Sequence, residues 1–278
     1  MTEFELREVR GPSALGGGWR RLFDLVFLIS VTDFKKTYFG TALGYLWTIA
    51  RPLMLFGVLL AVFTQVFRLG SQVDHYPVLL LFNIVLFGFF SEATNTAVGS
   101  IVGQEGIVRK TQFPRLAIPL AVVLTSGFNL GLNLVVVFVF ILASGIVPMW
   151  TWLLFPVVLV LLFVVTTAVA MILASLYPRF RDTSILWSVF ATALFYATPV
   201  LYPLEVAPAG LKDLLILNPL APLLEEARHW IIDPDAPGAV SAAGGFTHLL
   251  PAIAIYIAVC VLAVWIFNRE APRIAEQL

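Results

Sequence analysis

Long apolar intervals without a single charge dominate the chain, and they set its elements. No residue is charged between Arg115 and Arg179, and the turn signal from Gly145 to Pro148 divides that stretch into helices over 116–143 and 153–177. Further charge-free runs cover 183–204 and, after His248, 249–268. Two more apolar segments lie nearer the N-terminus: 45–67, with Arg51 and Pro52 close to its entrance, and 77–98, with Glu92 inside. A helix needs about 20 residues to cross a hydrocarbon core. A charge at the bilayer centre costs about 2.5 to 3.5 kcal/mol. The pattern therefore predicts an all-α integral membrane protein with six transmembrane helices in one transmembrane domain.

Residues 1–18 are a polar tail ending in three glycines, and Trp19, Arg20 and Arg21 lead into an apolar stretch from Leu22 to Val31. Ten residues reach only about 15 Å as a helix, half of a hydrocarbon core. A cleaved signal peptide is the competing reading. Against it stand Asp24 within the stretch, the lack of a small-residue cleavage pattern, and the run into Asp33, Lys35 and Lys36. The segment 19–39 reads instead as an N-terminal amphipathic helix in the interface, apolar side down and lysines among the headgroups.

Residues 205–246 are too structured in pattern for a plain loop. Two short helical stretches flank Asn218 and Pro219, and the second has Pro222 at its start, with Glu225 and Glu226 in a first turn whose dipole favours negative charge. Leu223, Ala227, Trp230 and Ile231 then recur on one side. Neither piece can span, so a short re-entrant helix pair between spans five and six is predicted; a surface loop with two interfacial helices is the alternative. Re-entrant backbone survives at membrane depth only where protein or a water cavity surrounds it.

Composition agrees: 60% hydrophobic and 12% charged residues, with mean hydropathy +0.94, exclude an ordinary water-soluble domain. Net charge is zero, so nothing points to nucleic acid. The distribution of charge is more telling than the sum. With both termini cytoplasmic, 14 of the 17 Lys and Arg lie inside, and only Arg68, Lys212 and Arg228 lie outside. The inner side then carries a net +5, the outer side −4, and Glu92 sits between. Cys260, the one cysteine, excludes an intrachain disulfide and reads as a packing residue.

Local enzyme chemistry is missing. There is no G-x-x-x-x-G-K-[ST] loop to hold nucleotide phosphates, no H-E-x-x-H spacing for zinc, and no G-x-S-x-G elbow. A membrane-embedded transferase built from scattered Asp, Glu and His remains the alternative from another class. An ion-coupled carrier usually buries several ionisable groups at mid-membrane, and this chain offers only Glu92.

Four segments together resemble one family, the membrane subunits of ABC-2-type polysaccharide exporters, which serve O-antigen, capsule and teichoic acid. They are the run DFKKTYFGTALGYLW from Asp33 to Trp47 with Arg51, Pro52 and Leu53 beyond it; VRKTQFPRLAIP from Val108 to Pro119; Arg181 with Asp182; and TPVLYP from Thr198 to Pro203, followed by Asn218, Pro219, Leu220 and Arg228. The order and spacing cover nearly the whole chain. One departure is Thr37, where the family often has Arg before the tyrosine. The resemblance implies a permease subunit in a bacterial cytoplasmic (inner) membrane, working as a homodimer with two separate nucleotide-binding ATPase subunits. ATP and Mg would be bound by those partners, with no cofactor in this chain. The substrate it implies is a polyprenyl-diphosphate-linked glycan moved from the inner to the outer face, O-antigen-like in the first instance; teichoic acid, a drug or a small lipid are the alternatives.

Specific residues follow. Gln104, Glu105, Arg109, Lys110, Phe113 and Arg115 are expected to form the segment that couples to the ATPase, with Arg109 and Lys110 meeting either that partner or the substrate diphosphate. The basic residues read equally well as anchors to membrane lipids. Lys35, Lys36, Tyr38 and Arg51 are expected at the headgroup entrance, with snorkelling to lipid phosphates as competitor. Tyr45, Trp47, Glu92, Phe195, Tyr196 and Tyr202 are candidates for lining the conduit, where rings stack on sugars and Glu92 bonds hydroxyls. Interfacial belts account for most of the aromatics without a substrate, and a polar patch of Glu92 with Asn95 or Thr96 is the favoured structural reading of that carboxylate. Pro199, Asn218, Pro219 and Arg228 are expected at an outer gate. Ser126, Asn129 and Asn133, beside Gly127 and Gly131, read as close helix packing.

Overall fold

The computed structural model describes residues 18–38, 44–67, 73–110 and 113–271, with only the backbone at 107, 109, 110 and 209. The tail 1–17, residues 39–43 of the first family segment, Arg68, Thr111, Gln112 and Arg273 lie outside the described residues, as do the side chains of Arg109 and Lys110. Twelve α-helices are described: α1 Trp19–Tyr38, α2 Leu46–Gln65, α3 Tyr76–Val98, α4 Ser100–Gly103, α5 Glu105–Lys110, α6 Ala117–Ala143, α7 Phe155–Leu176, α8 Thr183–Ala197, α9 Ala209–Ile216, α10 Leu220–Ile231, α11 Ala239–Ala242 and α12 Phe246–Glu270. Among the described residues no strand occurs.

Among the described residues, five helices are long and apolar enough to cross a membrane: α2, α3, α6, α12 and α7 with its leading 3-10 turn Trp150–Leu154. Their bounds fall within a few residues of the apolar runs, and the turn at Gly145 separates α6 from α7. Gly145 takes φ +84°, a conformation that side chains with a Cβ rarely adopt.

The stretch 183–204 departs from expectation. Helix α8 stops at Ala197 after 15 residues, about 22 Å against a core of about 30 Å. The cause is local. Pro199 pushes the preceding residue out of the helical region, and Thr198 lies extended at φ −103° and ψ 144°. From there the chain continues as irregular backbone that is fully buried at Thr198 and Val200.

Helix α3 is the central post: 78% of its apolar window is buried, and it packs on α2, α6, α7, α8 and α10. Phe82, Leu79, Leu80 and Leu86 are its innermost side chains, and Phe82 meets Phe155 of α7 at 5.5 Å. By contrast, only 6% of the α2 window is buried, and α8 and α12 also turn Ile185, Leu186, Val189, Val261 and Trp265 outward. Outward apolar faces on helices without a charged side are what a lipid or helix-packing surface requires.

Helix α1 lies along the first half of α6, running in the same direction. Leu22 and Val26 pack on Ala117 and Ala121, the Ser30 hydroxyl donates to the Ala121 carbonyl at 3.0 Å, Phe34 meets Phe128 at 5.6 Å, and the Tyr38 hydroxyl donates to Asn129 Oδ1 at 3.1 Å. Close packing also joins α6 to α7, but at one glycine rather than two. A Cβ on Gly127 would sit 2.7 Å from the Phe163 ring, whereas Gly131 has open space beside it.

The segment 205–246 is built into the end of the bundle. Leu223, Leu224, Ala227 and Ile231 of α10 belong to the main core, against α7 and α3. Side chains of the 3-10 turn finish the helix: the Thr151 hydroxyl donates to the Trp230 carbonyl at 2.6 Å and Trp152 Nε1 to the Ile231 carbonyl at 3.1 Å. These satisfy carbonyls that a helix end leaves unpaired.

Candidate functional site

Five helices, α1, α2, α3, α6 and α8, line a half-open cavity of about 1100 Å³. Four of them contribute stripes at helical spacing. Helix α2 gives Thr48, Arg51, Pro52 and Leu55; α3 gives Gly88, Ser91, Glu92, Asn95 and Thr96; α6 gives Ser126, Asn129 and Asn133; α8 gives Ser188, Thr192, Phe195 and Tyr196. Residues three, four, seven and eight apart share one side of a helix. Polar side chains on otherwise apolar helices turn toward a bundle interior or a water-filled space. Along α3 the lining runs from Ile84 to Thr96, about 18 Å.

Charge enters from two sides. The C-terminal turn of α1 supplies Asp33 and Lys36, and α2 supplies Arg51, which is close enough to act electrostatically on Glu92 of α3. A chain of side-chain hydrogen bonds crosses three helices at this level. Tyr38 donates to Asn129 Oδ1, and Asn129 Nδ2 donates to Glu92 Oε1. Asn133 Nδ2 donates to the Asn129 carbonyl at 2.9 Å, one turn further along α6.

Several expected residues therefore meet at one place: Lys36, Tyr38, Arg51, Glu92, Phe195 and Tyr196 all line this cavity. Others do not. Lys35 is exposed outside it, Trp47 is exposed, and Tyr45 stacks on Phe34 at 5.2 Å. Tyr202 packs against the core and donates to the Tyr196 carbonyl at 3.2 Å. The polar patch read around Glu92 is corrected too. Asn95 turns back to the Ser91 carbonyl at 2.7 Å, and the partners of Glu92 are Asn129 and Ser126 of α6. Ser126, Asn129 and Asn133 are thus cavity residues rather than mere packing, a role the i, i+3, i+7 spacing of three polar residues on an apolar helix already signals.

The expected outer-gate residues converge where α8 breaks. Asn83 Nδ2 of α3 donates to the Pro199 carbonyl at 3.1 Å, the Tyr76 hydroxyl to the Leu201 carbonyl at 2.9 Å, and Asn218 Nδ2 to the Thr198 hydroxyl at 2.7 Å. Pro219 then opens α10. Arg228 of that helix is buried among three carboxylates: Glu205 at 2.7 Å, Glu225 at 3.7 Å and Asp233 at 4.0 Å. Glu225 also accepts the Leu204 backbone N–H at 2.7 Å. Burial pushes the Glu225 carboxyl up to about 7, against the opposing pull of the Leu204 N–H and of Arg228.

At the other end of the bundle, α4 and α5 carry Gln104 and Glu105 between α3 and α6. Phe113 packs against two small clusters at once, one around Leu22 and Ala117, the other around Ile101, Ile118 and Phe267. Arg115 is 9% exposed. The corner between α5 and α6 is therefore wedged between α1 and the C-terminal end of α12.

Comparison with known proteins supplies the remaining evidence. The chain is 28% identical over 258 residues to the O-antigen export system permease protein RfbA of Klebsiella pneumoniae, covering 92% of this chain and 96% of that protein. It is 29% identical over 248 residues to the protein of the same name from Myxococcus xanthus, covering 88% and 92%. With the polysialic acid transport protein KpsM of Escherichia coli it shares 22% identity over 216 residues, covering 77% and 82%. Residues 24–231, three-quarters of the chain, including α2, α3, α6, α8 and most of α1, match the ABC-2 type transporter family, and the chain belongs to that family.

Proposed function

We propose that this chain is the membrane half of an ATP-driven exporter that carries a polyprenyl-diphosphate-linked polysaccharide, O-antigen-like in kind, from the inner to the outer face of a bacterial cytoplasmic membrane. Two copies form the conduit, and separate ATPase subunits dock at the basic end, which faces the cytoplasm. The observation that carries this reading is the cavity bounded by α1, α2, α3, α6 and α8, with polar and charged side chains set into an apolar wall, in a chain of the ABC-2 family whose relatives are named for polysaccharide export.

Lys36 and Arg51 on its wall suit a lipid diphosphate, since ammonium and guanidinium groups make charge-assisted hydrogen bonds with phosphate oxygens. The 104–115 segment takes the force of the ATPase, and Phe113 passes it to α1 and α12 through the clusters it joins. At the far end, the clasp of Asn83, Tyr76 and Asn218 on the 198–201 backbone closes the exit until the ATPase cycle opens it. Depletion of the chain followed by mass analysis of inner-face polyprenyl diphosphate glycans tests the function. A build-up of one glycan names the substrate; no build-up of any such lipid overturns the reading.

A further inference from the structure

We infer that the wall of the cavity formed by Glu92, Asn133 and Tyr196 is a sugar subsite that reads the first saccharide next to the diphosphate, so that this chain selects its cargo by sugar as well as by lipid. The inference rests on the proposed function and adds a recognition element to it. Glu92 is fixed from behind: Asn129 donates to its Oε1, and Asn129 is itself held by Tyr38. Ser126 also hydrogen-bonds this carboxylate, whose two oxygens have lone pairs for further donors. Asn133 spends one N–H on the Asn129 carbonyl and keeps a carbonyl oxygen and a second N–H for a ligand. Hydroxyls arrayed around a sugar ring both donate and accept, which matches a carboxylate beside an amide.

The α8 wall offers the complementary surface. Phe195 is held edge-on by Phe87 at 5.3 Å and by Tyr196 at 5.2 Å. Tyr196 is itself 61% exposed, and its ring is a platform for the C–H face of a sugar. Electrostatics divides the cavity between the two parts of the substrate. A phosphate is repelled by the Glu92 and Asp33 carboxylates and attracted to Lys36 and Arg51. The anionic group therefore settles between Lys36 and Arg51, and the neutral sugar falls against α3, α6 and α8.

The test is equilibrium binding of two radiolabelled probes to the full chain in lipid nanodiscs: a polyprenyl diphosphate with no sugar, and the same lipid carrying a disaccharide. In Glu92→Gln, Asn133→Ala and Tyr196→Ala, affinity for the glycosylated lipid is expected to drop about tenfold each, the scale of one lost hydrogen bond or ring contact. Affinity for the bare lipid should stay at the wild-type value in Asn133→Ala and Tyr196→Ala and should not fall in Glu92→Gln, where loss of the repelling carboxylate favours the diphosphate; retained binding of this probe also reports that each variant is folded. Lys36→Ala with Arg51→Ala is expected to weaken both probes together. Equal loss of both probes in the three wall variants, or loss of neither, overturns the sugar subsite. Wild-type protein that binds neither probe overturns the proposed function itself, and with it the subsite.

Discussion

Asn83 on α3 donates its side-chain amide to the carbonyl of Pro199, a residue 116 positions later, at 3.1 Å, and reaches the Val200 carbonyl at 3.5 Å. The pairing supplies a donor that a continued helix could not, because the residue four positions beyond Pro199 is Pro203, which has no N–H, and a buried carbonyl needs a donor. Asn83→Leu keeps the volume and removes the donor. The expected cost is about 1–3 kcal/mol, the desolvation penalty of an unpaired buried group. It should appear as a lower thermal unfolding midpoint of the purified protein and, if the clasp closes the exit, as faster cleavage near 198–201 by added protease. An unchanged midpoint would show the bond to be dispensable.

The Glu225 carboxyl makes the stability of the fold depend on pH. Its folded value of about 7 lies above the ordinary 4.5, so between those values the folded protein holds a proton that the unfolded chain has released. Stability then falls as pH rises through that window. Glu225→Gln can still accept the Leu204 N–H and does not titrate. Its unfolding midpoint is expected to fall less between pH 5 and pH 8 than that of the wild type. Parallel curves for the two proteins would discard this assignment.

Arg228 balances Glu205, Glu225 and Asp233 from a position 3% exposed. Arg228→Met leaves those carboxylates without their shared cation and is expected to cost about 3–5 kcal/mol, the scale for breaking a buried pair from one side. Adding Glu225→Gln to Arg228→Met should recover part of the loss, so the double variant is more stable than the sum of its parts predicts. Thermal unfolding of the four proteins measures the coupling, and strict additivity would contradict it.

Two glycines one turn apart on α6 should behave differently. Gly127→Ala drives a methyl into the Phe163 ring, which is itself packed on Phe89 at 4.5 Å, and should cost about 1–3 kcal/mol as overpacking. Gly131→Ala meets no atom and is expected to be neutral or slightly stabilising in a helix. Equal effects at both positions would mean that α6 and α7 are not locked at Gly127.

For coupling, Arg109→Gln with Lys110→Gln should abolish export while leaving the protein in the membrane at wild-type levels. Surface glycan and membrane fractionation give the two readouts. Full export by this variant removes the proposed role of the basic pair and leaves lipid anchoring.

Helix positions were legible in the sequence because charge and apolar length decide them, and both are local. The clasp on Pro199 was not, since it depends on Asn83 standing opposite a proline more than a hundred residues away. Glu92 shows the same division. Its isolation in an apolar run marked it as notable, but proximity along the chain suggested Asn95, whereas Asn129 reaches it across two helices. Tyr38 and Tyr45 are only seven residues apart in the sequence and their rings lie 5.4 Å apart, yet Tyr38 lines the cavity and Tyr45 does not.

Helix α1 touches Phe113 and Leu116 near its start and the cavity through Asp33, Lys36, Thr37 and Tyr38 at its end. It is one unbroken rod of 20 residues, about 30 Å long, with no proline or glycine to serve as a joint. A push on the Phe113 corner and a pull on the cavity wall are then two views of a single lever. The two ends cannot be moved independently without bending the helix or peeling it from α6.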